Sequence, residues 1–208
     1  MNTYGFTAGQ KVGLAYGYLE GVQAALQKGE VADVLVPPAD ERHPVWWVLP
    51  KGLEELPADA SLLHAVEWLA EKLNSHCRFP ANRRENLLTA FLSMSYQKDG
   101  EPALGISTDE QTTDSWKQIL GGSVSCSAYT ASREEKRQAT VYGYYLGTAA
   151  LKVRLNIMDV GFPLWPSNMS VQAVRVEVDH RCQEEKNKNA TLRDVLYVTT
   201  VELGISTP

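Results

Sequence analysis

Nowhere in the 208 residues does an apolar run approach the roughly 20 needed to cross a bilayer. The opening residues, Met1-Asn2-Thr3-Tyr4-Gly5, have neither a basic start nor an apolar core, so no secretory leader is visible in them. Positive charge is scarce: 20 Lys and Arg against 25 Asp and Glu leave a net charge of −5. Phosphate binding needs a concentrated positive field, so this balance argues against a nucleic-acid surface.

Reactive motifs are equally sparse. The three cysteines, Cys77, Cys126 and Cys182, never take the Cys-x-x-Cys spacing of a zinc site. His76-Cys77 and His180-Arg181-Cys182 pair ligand-type residues, but histidines at helix C-termini, where the dipole favours them, explain both. Asp179-His180 could join a serine on paper, yet no Gly-x-Ser-x-Gly elbow accompanies it. No glycine-rich phosphate loop follows a strand. Glu54-Glu55 and Glu134-Glu135 are adjacent carboxylates, which diverge on a helix and read as solvated surface. The expectation is a chain without catalytic residues, cofactor or metal.

What is present is an ordinary folding composition, 44% apolar and 22% charged, and an internal echo. Tyr16-Gly17-Tyr18 and Gly21 recur 126 residues later as Tyr142-Gly143-Tyr144 and Gly147. Leu104-Gly105-Ile106-Ser107-Thr108 recurs letter for letter as Leu203-Gly204-Ile205-Ser206-Thr207. Such self-similarity implies one unit used twice. The fold class expected is mainly α: two tandem pseudo-repeated small helical bundles with long Pro/Trp loops. Unit one takes residues 1–108; residues 109–208 hold a linker and unit two.

Each unit reads as helix, loop, helix, helix. Thr7-Ala8-Gly9-Gln10 has capping-box spacing and precedes a stripe of Val12, Ala15, Leu19, Val22 and Leu26. Gly17 and Gly21 lie four apart within it. Glycine costs a helix about 1 kcal/mol, so the pair implies either close approach of another backbone or a kink. Trp46-Trp47 and Trp165 sit in proline-bearing loops. A second helix begins near Asp59 or Ser61 and ends at Cys77; its counterpart begins near Ser170 and ends at Cys182. Asn82-Arg83-Arg84-Glu85 and Thr191-Leu192-Arg193-Asp194 resemble caps for the third helices, and Ser132-Arg133-Glu134-Glu135 for the second copy of the first helix. Val195 to Val201 alone would read as a strand, but its sibling makes it helix.

The cysteines leave two readings open. They are three buried thiols, or Cys126 and Cys182 form a disulfide pinning two helices of unit two. That bond would contribute about 4 kcal/mol in the chain-entropy model and imply an oxidising compartment.

A Tyr-Gly-Tyr-x-x-Gly helix, a Trp/Pro loop, a helix ending in Cys and a further helix together resemble small bacterial periplasmic proteins. Residues 15 to 92 resemble the Rap/Tai immunity proteins of type VI secretion effectors. Residues 126 to 201 are similar in layout to the HdeA acid-stress chaperone, whose single disulfide would fall on Cys126 and Cys182. This chain departs from both: members are single units, unit one lacks the first Cys, and Leu-Gly-Ile-Ser-Thr matches neither. The resemblance implies a periplasmic binding protein rather than an enzyme, with a protein partner such as an effector it neutralises. The implied contact loop carries Asp40, Glu41, Arg42, Trp46 and Trp47. Two rivals stay open, a holding chaperone that opens on acidification and an enzyme with its site between the units.

Overall fold

The computed structural model describes residues 6–28, 48–53, 56–57, 60–82, 85–95, 122–155 and 169–205. These residues are mainly helical. In order they form α1 (Ala8–Lys28), α2 (Leu62–Arg78), α3 (Leu87–Met94), α4 (Cys126–Thr130), α5 (Glu134–Leu155), α6 (Val171–Gln183), a 3-10 turn (Glu185–Asn187) and α7 (Leu192–Ile205). No helix among them is long and apolar enough to cross a membrane.

Side chains set the helix starts. Thr7 and Gln10 cap α1 reciprocally: Gln10 N donates to Thr7 Oγ1 at 3.2 Å and Thr7 N to Gln10 Oε1 at 2.8 Å. Ser61 and Ser170 accept from the backbone N–H three residues on, opening α2 and α6. Thr191 does the same for α7, accepting from Asp194 N at 3.2 Å while donating to the Asp194 carboxylate at 2.6 Å. α7 is helix through Val195 to Val201 despite their β-propensity. Its buried residues, Leu192, Val195, Leu196 and Thr199, recur at helical spacing, so packing overrides intrinsic preference.

Two expected caps lie elsewhere. The N-cap of α3 is Asn86, whose Oδ1 accepts from Thr89 N at 2.9 Å; Asn82 instead donates to the His76 carbonyl at 3.0 Å, closing the end of α2. Ser132 does not cap α5: the helix begins at Glu134, two residues on, and the Ser132 hydroxyl donates back to Tyr129 O at 2.7 Å.

Every residue from 13 to 25 is buried, which makes α1 the central helix. It runs parallel to α5, and the glycines set how closely. A Cβ built on Gly17 would overlap the carbonyl of Thr140, and one on Gly21 that of Tyr144. Reciprocally, a Cβ on Gly143 would overlap the carbonyl of Leu14, and one on Gly147 that of Tyr18. The contacts are the same after the 126-residue offset, so the two helices meet as each other's image. Small residues four apart are what lets two helix backbones approach this closely. The close-approach reading thus holds over the kink. Each notch faces the sibling helix, however, and not the later helices of its own half.

The rest of the core closes around this pair. Tyr18 stacks on Phe91 of α3 at 4.0 Å between centroids and donates to Val48 O at 2.5 Å. Val48 and Leu49, the end of the Trp-bearing run, are buried on the core. Residues 124–126 pair with 190–192 through Cys126 N to Ala190 O at 3.0 Å and Leu192 N to Val124 O at 2.8 Å. Cys126 and Cys182 form a disulfide joining α4 to α6, with Cα atoms 4.9 Å apart, and Cys77 is a buried free thiol. The unit boundary expected at 108/109, the linker as far as residue 121 and Trp165 lie outside the described residues.

Candidate functional site

The least expected feature of α1 is a carboxylate in its buried middle. Glu20 is 1% exposed, one turn after Tyr16. Arg193, in the first turn of α7, donates from Nε to Glu20 Oε2 at 2.7 Å. The Tyr16 hydroxyl donates to Glu20 Oε1 at 2.5 Å and accepts from Val124 N at 3.0 Å. Arg193 Nη2 also donates to Gly122 O at 2.6 Å, so the pair straps the extended segment 122–124 against α1. Burial pushes the Glu20 carboxyl pKa up, opposed by Arg193 and the hydrogen bond from Tyr16. Burial, then the neighbouring Glu20, raises the Tyr16 hydroxyl, keeping it a proton donor.

Above this pair lies a cleft of about 300 Å³. Val12 of α1, Leu62 and Val66 of α2, Ala128 of α4 and Leu192 of α7 make its walls apolar. Tyr16 and Ser123 supply its polar floor, and Lys136 of α5 reaches it from one side. At its edge Leu63 is 59% exposed.

A second buried cluster fixes α4, α5 and α6 beside the disulfide. Asp179 Oδ2 accepts from Arg175 Nη1 at 2.5 Å, and Asp179 Oδ1 lies 3.2 Å from Arg137 Nε. Arg175 Nη2 reaches Glu134 Oε1 at 3.0 Å, and Arg137 Nη1 donates to the Thr130 and Ser132 carbonyls at 3.0 and 2.8 Å. Burial, then the Asp179 carboxylate, raises the Tyr129 hydroxyl. Asp179 is therefore an internal counter-ion, while His180 beside it is exposed, so the two are not halves of a triad. Glu134 is engaged by Arg175, and Glu135 lines a separate cleft of about 280 Å³ with Gln138, Tyr142 and Phe6.

Among the described residues no group of three His, Cys, Asp or Glu could hold a metal ion. His76 is placed by Glu85 at 3.0 Å and by Asn82 at 3.3 Å. The loop residues Asp40, Glu41, Arg42, Trp46 and Trp47 lie outside the described residues.

The tyrosines of the echo have different surroundings. Tyr16 is buried and hydrogen-bonded; Tyr142 is partly exposed and stacks with Tyr145 at 6.1 Å. Tyr16 has acceptor Glu20 and the segment at 122–124 beside it, whereas the position matching Glu20 in α5 is Leu146, which offers no acceptor. That same contrast, a charge where the sibling has Leu, was the sequence signal for Glu20. Compared with known proteins, the chain matches no family model, no curated protein and no solved structure.

Proposed function

We propose that this chain is a periplasmic protein-binding module built from a duplicated helical unit, acting as an immunity protein that neutralises a secreted antibacterial effector. One observation carries this reading. The buried charges beneath and beside the cleft pair with one another, Glu20 with Arg193 and Asp179 with Arg137 and Arg175, and none of them lines it. The cleft therefore offers shape and mostly apolar surface with Lys136 at one side, which suits recognition. The glycine-notched helix pair and the disulfide support the reading further, because a preorganised binder loses less entropy on association. The disulfide also suits an oxidising compartment such as the periplasm. The contact loop implied by the resemblance, with Asp40, Glu41, Arg42, Trp46 and Trp47, stays part of the proposal.

The chaperone alternative meets a physical objection. With its pKa raised, Glu20 favours the folded state at low pH, which works against acid-triggered opening. The enzyme alternative would use the same cleft, where the Tyr16 hydroxyl already serves Glu20. The test is affinity capture: the immobilised chain, exposed to lysate of the cell that makes it, retains one stoichiometric protein whose toxicity it suppresses on co-expression. A clean blank, or a retained protein whose toxicity is unchanged, overturns the proposal.

A further inference from the structure

We infer that the cleft between α1, α2 and α4 binds an amphipathic carboxylate, an apolar chain or ring with one negative end, and that Lys136 supplies the counter-charge. This goes beyond the partner-binding reading and does not depend on it.

The fold has already matched the other charges around the cleft. Tyr16 at the floor is engaged with Glu20, and Glu20 with Arg193, both of which lie behind the lining. The two carboxylates preceding Lys136 on α5 are directed elsewhere: Glu134 pairs with Arg175, and Glu135 lines the other cleft. Among the described residues Lys136 has no ion-pair partner, so the unmatched charge in the cleft is a cation. A cation framed by apolar walls suits an anion with an apolar body, and the same walls strengthen the attraction by lowering the local dielectric. Glycine makes room for the base of this side chain. A Cβ built on Gly13 would lie 3.1 Å from Lys136 Cγ, so the Lys136 stem rests in a notch that any side chain would fill. At about 300 Å³ the space is at the lower end of ligand pockets, which suits one small group.

The carboxylate could belong to a free acid or to the C-terminus of a peptide, and the probes separate them. Octanoate, octanol and octylamine are titrated into the full chain and followed by backbone amide NMR. A peptide ending in Leu is titrated likewise, with a free and with an amidated terminus. Octanoate is expected to saturate one site with shifts clustered at Val12, Tyr16 and Ala128. Octanol should bind about tenfold more weakly, the loss of one charge-assisted contact, and octylamine weaker still. Lys136→Met keeps the aliphatic stem and should reduce octanoate to the affinity of octanol. Ala128→Trp, at an exposed position on the wall, should block both while leaving the spectrum dispersed. Tighter saturation by the free-terminus peptide than by octanoate assigns the site to a chain end; the reverse order assigns it to a free acid. The inference is overturned by an absence of saturable shifts, by equal affinity for octanol and octanoate, or by undiminished octanoate binding in Lys136→Met.

Discussion

Gly17 of α1 lies directly against the carbonyl of Thr140 in α5, with no room for a methyl group between them. The atom in the way is backbone, which cannot swing aside, so Gly17→Ala must push two central helices apart. Overpacking of this kind costs about 1–3 kcal/mol. Gly143→Ala meets the Leu14 carbonyl in the mirror-image contact and should cost a similar amount. Gly9, near the start of α1, has only Thr7 Oγ1 within 4.0 Å, so Gly9→Ala should instead stabilise by up to about 1 kcal/mol through helix propensity. Urea unfolding of the three variants checks this. Equal effects at positions 9 and 17 would remove the case for a glycine-set helix interface.

Helix starts were legible in the sequence where the signal is local. Thr7, Ser61, Ser170 and Thr191 cap the helices that follow them, because the acceptor and the donors it serves lie within three residues. Asn82 and Asn86 show the limit of such reading. Either could cap α3, and the choice fell to Asn86 because Asn82 is taken up by the end of α2. The glycine spacing announced close approach of a backbone but not which one, since that depends on tertiary contact. Glu20 was harder still. Its partner Arg193 is 173 residues away, and a helix pattern carries no trace of so distant a pairing. The contact loop implied by the resemblance lies beyond the described residues, so for that surface the sequence remains the whole of the argument.

Glu20 and Arg193 predict strong non-additivity. Arg193→Met leaves a buried carboxylate without its guanidinium and should destabilise by about 3–5 kcal/mol. Glu20→Leu strands the arginine and should cost about as much. The double variant removes both charges, and Leu is the residue that α5 carries at the matching position, Leu146. Its cost should therefore fall well below the sum of the two single changes. A double-mutant cycle by chemical denaturation gives the coupling directly, and a coupling near zero would show that the two charges do not depend on each other.

The same carboxylate predicts a pH dependence. Burial raises its pKa from the ordinary value of 4.5, so the folded state holds the proton more tightly than the unfolded chain. Its contribution to stability is fully present below about pH 4.5 and is lost as pH rises through the folded-state value. The unfolding free energy of the parent, relative to Glu20→Gln, should thus decline from pH 4.5 upward. Denaturation of both proteins across that range is the measurement. A relative stability that rises with pH instead would mean that Arg193 outweighs burial and that the carboxyl is held ionised.

The disulfide makes the last prediction, and Cys77 is its internal control. Cys126 and Cys182 are 56 residues apart, and opening a loop of that length releases unfolded-chain entropy worth about 4 kcal/mol. Reduction, or the pair Cys126→Ala and Cys182→Ala, should lower the unfolding free energy by about that amount. The loss should be felt first in α4, a five-residue helix tied to the core by Cys126, by Tyr129 and by the grip of Arg137 on the Thr130 carbonyl. Amide exchange at Ala128 and Tyr129 should accordingly quicken more on reduction than exchange in α1, where residues 13–25 are buried all round. Cys77, a buried free thiol on α2, should resist alkylation in the native protein and react only on unfolding. Exchange that quickened uniformly, or a reduced protein as stable as the oxidised one, would show that the bond does not hold α4 in place. It would also take away the main physical ground for assigning the protein to an oxidising compartment.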